Sequence, residues 1–540
     1  MKNTRYILLA MASLGLLSCE SDDTVMPVEP VVTLTAGDAN FSTYVAVGGS
    51  FTAGFTDGAL FIAGQTNSFP NFLSQQFSAV GGGSFTQPLM SDNIGGMLFG
   101  GNQLPDGSFG PRLIFDGEGP VPLPAVPTTE ATNVVSGPYN NMGVAGIKSF
   151  HLGVQGYGTL NPYFGRMASA PTASILGDAL AQQPTFFTLS EIGGNDVLSY
   201  AVSGGVGVDR TGNPNAAVYG GNDITDPGLF DMTFRGVVNA LTAGGAKGVV
   251  TNVPYITDLP HFTTVPHNPL DPLDPDNAEF ATQIPLLNSI FGALNQIYDA
   301  LQQPNRKVVF SQTAASAVVI RDETLVDIAA QIEGALNASP TFPAFIGQFG
   351  LPEQAAPAVA KLLGEAYGQT RQATEEDLLV LPSASVIGTV NSASVVALMG
   401  RGLPQALAGQ FSVEGVTLPL VDKWVLLPSE QASIRVATDA YNVTIKSVAD
   451  EKQLAFVDFK QLLSDAASSG IRSGNFILNT QLVRGGLIGL DGLHLTARGY
   501  AVLSNKFLEA IDAQYKSNFL EAGATLNSGN YPTNYPAVIP

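Results

Sequence analysis

The chain contains four histidines, and one of them, His494, lies three residues after Asp491. Histidine is the usual general base for a serine nucleophile because its pKa lies near the pH at which most enzymes work. In a turn or short loop, the Asp-x-x-His spacing lets the carboxylate accept a hydrogen bond from imidazole Nδ1, which fixes the tautomer and stabilises the imidazolium. We therefore interpret Asp491 and His494 as a candidate acid–base pair. The same spacing also occurs in purely structural turns.

A candidate nucleophile lies near the other end of the chain, in the segment Tyr44-Val-Ala-Val-Gly-Gly-Ser-Phe-Thr-Ala-Gly54. Its apolar, β-branched residues predict a buried strand that ends at a tight turn. Ser50 follows the strand's carboxyl end, which is where ligands bind in open α/β sheets. The alternative is a glycine–serine turn that only closes a core strand.

Two further residues follow predicted strands and have groups suited to an oxyanion hole. Asn195 ends the turn Gly193-Gly194-Asn195, and its side-chain amide can donate a hydrogen bond to a developing oxyanion. Gly146 ends the run Asn141-x-x-x-x-Gly146, and its backbone N–H can donate in the same way. The alternatives are an asparagine that caps a loop and a glycine that only turns the chain.

A scaffold for these residues is visible in the alternation of strand-like and helical patterns from residue 44 onward. Strands are predicted at 44–47, 185–192, 248–253 and 454–459, and helices at 69–79, 174–183, 229–243, 429–452 and 496–514. This rhythm implies βαβ units and a parallel sheet that helices cover on both faces. The expected fold class is therefore α/β.

The four blocks, taken in this order, resemble the SGNH (GDSL-type) hydrolase family over residues 42–255 and 428–515. Ser50 matches the family's nucleophile, and Asp491 with His494 matches its remaining triad members. The family's oxyanion-hole donors correspond to the Ser50 backbone N–H, Gly146 and Asn195.

The resemblance implies a three-layer α/β/α sandwich around a mostly parallel five-stranded sheet with flavodoxin-like topology. It also implies a serine ester hydrolase of the lipase or carboxylesterase type, which works through an acyl-enzyme on a lipid or an acylated glycan and needs no cofactor or metal. Two alternatives stay open: a glycan O-acetyl esterase, and a non-catalytic surface lipoprotein that binds glycan or lipid. A classical α/β-hydrolase is disfavoured because no serine has Gly-x-Ser-x-Gly flanks.

One position departs from the family pattern. The family's usual Gly-Asp-Ser-Leu is here Gly48-Gly49-Ser50-Phe51. In the family that aspartate is supporting rather than catalytic, so the triad is retained. Gly49 lacks the hydrogen bonds that the aspartate would give to the turn, and it adds backbone freedom. The departure therefore bears on catalytic efficiency more than on the class of reaction.

Metal catalysis has little support in the sequence. The histidines are scattered, and no His-x-x-x-His pair or carboxylate cluster at ligand spacing occurs. The acidic segment 271–277 has oxygen ligands of the kind that calcium prefers. We favour the alternative, an acidic loop that ends in the N-cap of the next helix.

The N-terminus has the pattern of an export signal. Lys2 and Arg5 precede an apolar stretch over 6–17 that is too short to span a bilayer as a helix. The stretch ends at Leu16-Leu17-Ser18-Cys19, and Cys19 is the only cysteine in the chain. This resembles a bacterial lipoprotein signal with its lipobox, which implies acylation of Cys19. The implied location is the bacterial envelope, at the outer membrane, with a lipid anchor.

Composition and pattern together define the expected organisation. With 540 residues, 45% hydrophobic, the chain can bury a sizeable core, and its net charge of −21 argues against nucleic acid as a partner. The segments expected are a signal peptide (1–18), an acidic and Pro-rich tether (19–40), two parts of the hydrolase domain (41–255 and 428–516), a mainly helical insertion or cap (256–427) and a tail (517–540). Helical patterns at 284–301 and 355–363 of the insertion either supply an acyl-binding surface or only pack on the domain.

Overall fold

The computed structural model describes residues 32–539. The predicted signal peptide, Cys19 and the first part of the predicted tether therefore lie outside the described residues. Among residues 32–539, no helix combines the length and the apolar character needed to cross a membrane.

A five-stranded parallel sheet forms the centre of the fold. Its strands are β1 (Tyr44–Gly48), β2 (Asn141–Gly143), β3 (Phe186–Ser190), β4 (Lys247–Thr251) and β5 (Ala455–Val457). They lie in the order β2-β1-β3-β4-β5, and every neighbouring pair is parallel. This is the flavodoxin-like order. The predicted α/β class and five-stranded sheet are therefore confirmed.

Helices surround this sheet. Those before the insertion are α1 (Ser50–Ala53), α2 (Ile62–Thr66), α3 (Phe69–Ser78), α4 (Pro162–Met167), α5 (Ile175–Ala181), α6 (Asn195–Val202) and α7 (Pro227–Thr242), and α8 (Pro260–Thr263) lies at the start of the 256–427 segment. Those of the insertion are α9 (Ala278–Ala300), α10 (Ala329–Ala338), α11 (Phe342–Gly347), α12 (Ala356–Tyr367), α13 (Ser392–Gly400) and α14 (Gln405–Gln410). Those after it are α15 (Pro428–Lys452), α16 (Phe459–Ser468) and α17 (Ala497–Tyr515).

Two pairs of long helices cover the sheet. Helices α3 and α17 pack together, with the rings of Phe69 and Phe507 stacked 4.7 Å apart, and α17 also contacts β4 and β5. Helices α7 and α15 form the other pair, in which the rings of Phe230 and Tyr441 stack at 4.3 Å. Strands β1 and β3 are buried along their whole length, as expected for a sheet covered on both faces. The arrangement is consistent with a three-layer α/β sandwich.

The insertion has a hydrophobic core of its own. Ile284, Phe291 and Tyr298 of α9 are buried against α10, α12 and the segment Val318–Ile320. Two small antiparallel sheets of two strands accompany the helices and pair Val319–Arg321 with Thr370–Gln372 and Leu378–Leu379 with Val425–Leu426. A core of this kind lets the insertion hold its shape without contributing to the central sheet.

Two helices differ from what the sequence pattern indicates. Helix α6 begins directly after Gly194, where no helix is predicted, and it buries residues such as Val197 and Tyr200. In the insertion, the helical pattern over 324–336 predicts a helix from Thr324, but residues 324–328 are not helical and α10 begins at Ala329.

Both ends of the described chain pack on the domain. Residues 32–40, assigned to the tether, are attached to the end of α17, where the Asp38 N–H donates to Tyr515 O at 2.6 Å. The tail crosses the surface as a strap that holds the fully buried Arg112. The guanidinium of Arg112 donates to Tyr535 O and Pro536 O at 3.3 and 2.5 Å.

Candidate active site

Three side chains from the two ends of the domain form a continuous chain of hydrogen bonds. Ser50 Oγ lies 2.9 Å from His494 Nε2. On the other side of the ring, His494 Nδ1 lies 2.8 Å from Asp491 Oδ2. All three are shielded, since Ser50 and His494 are only 8% and 7% exposed. This is the geometry in which an imidazole can take the serine proton while a carboxylate orients the ring.

The position of Ser50 follows from a tight turn after β1. A Cβ on Gly48 would lie 2.1 Å from Thr52 Oγ1 and 2.7 Å from Ser190 O, so only glycine fits there. The chain then enters α1 at once, and Gly49 O accepts a hydrogen bond from the Ala53 N–H. Ser50 is thus the first helical residue, held at the carboxyl edge of the sheet.

Asp491 is held by backbone donors as well as by His494. Its Oδ1 accepts hydrogen bonds from the N–H groups of Leu493 and His494, and its Oδ2 accepts one from the Gly58 N–H at 2.8 Å. Burial by itself raises the pKa of Asp491, but these contacts outweigh it and hold the pKa at about 2. The carboxylate is therefore ionised at neutral pH.

Aromatic rings confine the imidazole. The rings of Phe51 and Phe55 have their centroids 5.3 and 4.6 Å from that of His494. Both residues follow Ser50 in the same segment, so the turn that carries the serine also supplies the walls around its partner. No residue pattern in this segment indicates this second role.

Burial makes two other histidines poor candidates for a base. Burial, together with the nearby Lys148 ammonium, lowers the pKa of His151 to about 4. Burial also lowers the pKa of His261, whose Nδ1 lies 3.4 Å from Asp491 O. Within residues 32–539, His494 is the histidine that contacts a serine hydroxyl.

The sheet order places Ser50 between the two predicted oxyanion donors. Asn195, the first residue of α6 after β3, lines the same pocket as Ser50. Gly146 lies in the turn after β2, on the other side of β1, and is not among the residues that line that pocket. The structure therefore brings Asn195 to the serine, whereas Gly146 shares only the same edge of the sheet.

The pocket beside Ser50 is small, about 50 Å³, and mostly apolar. Its walls include Phe51, Leu198, Ile256, Leu259, Phe459 and Leu463. Its polar groups are those of Ser50, His494, Asn195 and Glu191, together with nearby backbone. A pocket of this composition fits an apolar group attached to a polar reacting centre.

Helices α9 and α12 do not line this pocket. They line a separate apolar cavity of about 110 Å³ inside the insertion, with side chains that include Ile290, Leu294, Val359 and Leu363. The predicted acyl-binding surface on these helices is therefore not part of the Ser50 pocket. Their apolar faces pack in the insertion's own core, whereas the alternative interpretation had them pack on the hydrolase domain.

A buried carboxylate beside Ser50 was missed by the sequence reasoning. Glu191 follows β3 with a φ of +49° and is 8% exposed. Its Oε1 accepts a hydrogen bond from the Thr52 N–H at 3.2 Å, and its Oε2 accepts one from Thr52 Oγ1 at 3.3 Å. Burial raises the pKa of Glu191 to about 7, against the effect of these bonds. Its only signal in the sequence is an acidic residue at the end of an apolar strand.

Carboxylates elsewhere were considered as metal ligands. Within residues 32–539, the carboxylate oxygens of Glu323, Asp422 and Glu430 lie within 4.8 Å of one another. Burial raises the pKa of Glu430 to about 8, so its proton can be shared with a neighbouring carboxylate and satisfy the group without a cation. In the acidic loop, Asp271 and Asp274 accept hydrogen bonds from the N–H groups of Leu273 and Asp276, whereas Asn277, the N-cap residue of α9, makes no side-chain cap hydrogen bond.

No family model matches this chain, and it has no match among the curated proteins or the solved structures. A functional assignment must therefore come from the geometry of the site.

The low pKa of Asp491 predicts a dependence of stability on pH. Because the pKa is lower in the folded state than its ordinary value of 3.8, the ionised carboxylate stabilises the fold above pH 4, by about 2 kcal/mol. This contribution decreases as the pH falls through 4 toward 2. We expect Asp491→Asn to lower the melting temperature at pH 7, and the difference from wild type to shrink by roughly half at pH 3.

Thermal unfolding of both proteins between pH 7 and pH 3 measures this difference. The exposed Asp276→Asn variant is the control and should follow wild type throughout. A difference for Asp491→Asn that stays constant with pH would contradict the assignment of an ionised, hydrogen-bonded carboxylate.

Proposed function

We propose that this protein is a serine ester hydrolase of the SGNH type. The observation that carries the proposal is the hydrogen-bonded chain from Ser50 Oγ through His494 to Asp491. The flavodoxin-like strand order and the position of Asn195 beside the serine support it. With the lipobox at Cys19, the proposal extends to a lipoprotein anchored in the bacterial envelope.

The geometry supports a two-step mechanism through an acyl-enzyme. Ser50 Oγ attacks the ester carbonyl carbon as His494 Nε2 takes the hydroxyl proton, and Asp491 stabilises the imidazolium that forms. The imidazolium then protonates the leaving alcohol. In the second step water attacks the acyl-enzyme, His494 takes its proton, and the carboxylic acid leaves as Ser50 is restored.

Charge on the tetrahedral oxygen needs donors near Ser50. The Ser50 N–H has no acceptor within α1, because the first N–H groups of a helix lack intrahelical partners. The Asn195 amide lines the pocket on the β3 side. The Gly146 N–H is a third donor in this proposal, and it requires the turn after β2 to approach the bound substrate.

The walls of the pocket indicate an ester with an apolar acyl group. Leu198, Phe459 and Leu463 present apolar surface to the pocket, and an acyl chain longer than acetyl would cover more of this surface and displace water from it. We therefore favour lipid or other apolar esters over acetylated glycans as substrates.

A fluorophosphonate probe tests the nucleophile directly, because it reacts with serines that are activated by a base. We expect wild type to be labelled at one site and Ser50→Ala to remain unlabelled. The control is Ser464→Ala on the exposed side of α16, which should be labelled like wild type. An unlabelled wild type that is correctly folded would refute the proposed function.

Loss of the Asn195 amide should affect turnover more than stability. Asn195→Ala removes one oxyanion donor, and such a loss costs about 10²–10³ in kcat. The melting temperature should stay near that of wild type because the backbone of α6 is unchanged. Ser199→Ala, one turn further along α6, is the matched control. Turnover by Asn195→Ala close to that of wild type would exclude an oxyanion role for this residue.

The substrate preference can be read from a series of p-nitrophenyl esters. We expect kcat/KM to rise from the acetate to the butanoate and hexanoate, by roughly an order of magnitude in all, as each methylene is buried. Leu463→Trp should remove the gain for longer esters and leave the acetate nearly unaffected. Ser464→Trp, which places the same ring in solvent, is its control. A maximum at the acetate in wild type would instead favour the O-acetyl esterase.

A further inference from the structure

Glu191 occupies an unusual position for a charged residue. It lies at the carboxyl end of β3, beside the turn that carries Ser50, and only 8% of it is exposed. Its φ of +49° is in the left-handed region, which is uncommon for a residue with a side chain. A buried carboxylate in a strained backbone is retained where its contacts compensate for both costs.

The contacts of the Glu191 carboxylate lie on both sides of Ser50. One oxygen accepts a hydrogen bond from the Thr52 N–H and the other from the Thr52 hydroxyl. The carboxylate also lies against Gly49, since a Cβ on that residue would be 3.1 Å from Glu191 Oε1. It therefore contacts the residue before Ser50 and accepts hydrogen bonds from the residue two positions after it.

The backbone of Glu191 connects the same turn to the rest of the site. Its N–H donates to Thr251 Oγ1 at 2.9 Å, which fixes it to β4. Its carbonyl accepts a hydrogen bond from the Gly194 N–H at 3.0 Å, which closes the turn that presents Asn195. One residue thus contacts the turn with the nucleophile and the turn with the oxyanion donor.

The space around Gly49 explains why glycine replaces the aspartate that the family resemblance leads one to expect. A Cβ on Gly49 would lie 3.1 Å from Glu191 Oε1 and 3.3 Å from Asn195 Nδ2. A side chain at position 49 would therefore enter the space that Glu191 already fills.

We propose that Glu191 is the positioning residue of the nucleophile turn and supplies, from β3, the supporting carboxylate that is missing at position 49. Its side chain lies at the wall of the pocket, and its role is to hold the turns that carry Ser50 and Asn195. The inference depends on the proposed function, since a well-held turn matters for catalysis only if Ser50 is the nucleophile. Gly49 and Glu191 then form a complementary pair, because the absence of a side chain at position 49 leaves the space that the Glu191 carboxylate fills.

Moving the carboxylate between the two positions tests this pair. Four proteins are compared: wild type, Glu191→Ser, Gly49→Asp and the double variant with both changes. Glu191→Ser leaves the Thr52 N–H and hydroxyl without their acceptor, and we expect roughly a tenfold or greater fall in kcat with little change in KM. Gly49→Asp crowds two carboxylates into one space, and its kcat should fall at least as far.

The double variant has one carboxylate again, now from position 49. We expect it to be more active than either single variant, and its rate of fluorophosphonate labelling to recover in parallel. A residue that served stability alone would change the melting temperature without this reciprocal recovery of kcat. Glu191→Gln, which keeps the shape and one acceptor oxygen, should fall between wild type and Glu191→Ser.

Two results would overturn the inference. One is a Glu191→Ser variant that is labelled and turns over like wild type, and the other is a double variant no more active than the worse single variant. If wild type itself is not labelled, the proposed function fails. In that case the melting temperatures of the four proteins still report on the pair, and the lack of a recovery in the double variant would overturn it.

Discussion

The hydrogen bond between Ser50 and His494 joins residues 444 positions apart at 2.9 Å. Much of the fold holds these two side chains in fixed positions relative to each other. On one side, β1 lies between β2 and β3, so the turn after it is held by neighbours at both edges. On the other side, His494 is followed by Thr496, whose hydroxyl caps α17 by accepting from the Gly499 N–H. Since α17 packs on α3, β4 and β5, the histidine loop is anchored to the same sheet that carries the serine.

The carboxyl groups near the site differ in charge because their surroundings supply different numbers of donors. Asp491 accepts from three backbone N–H groups and from His494, and its pKa is about 2. Asp57 and Glu191 are as well buried but have fewer donors, and burial raises the pKa of each to about 7. The full negative charge is therefore placed behind the imidazole, where it stabilises an imidazolium. A carboxyl that carries a proton part of the time lies beside the serine, where a permanent anion would oppose the oxyanion.

Residue type and local spacing predicted the strands, the α/β class, and Ser50, Asp491 and His494 as separate candidates, which the family resemblance joined into one site. Each of these leaves a local signal: an apolar run, a Gly-Ser turn, or a carboxylate three residues before a histidine. Glu191 left almost none, because its partners at Gly49 and Thr52 are about 140 residues away and become neighbours only when β1 pairs with β3. Helix α6 was missed for a related reason, since its stability comes from burial of Val197 and Tyr200 in the core rather than from a capping pattern. The prediction of an acyl-binding surface on α9 and α12 was wrong for the same reason, because an apolar pattern shows that a helix face is buried but not which residues it packs against.

The insertion adjoins the Ser50 pocket through the segment that leads into it from β4, and helices α9 and α12 do not line the pocket. The chain leaves β4 through residues 254–259, which form part of the Ser50 pocket, before it enters the separate core of the insertion. The opposite wall comes from Phe459 and Leu463 of α16, which follows β5. Lys460, between those two, donates to the Tyr255 hydroxyl at 2.6 Å, so the two walls are joined outside the pocket. A displacement of the insertion would therefore reach the pocket through residues 254–259 and would be resisted by this contact. The 256–427 segment also contacts the histidine loop, where the His261 N–H donates to Gly492 O, so its position bears on the site through both the pocket wall and this loop.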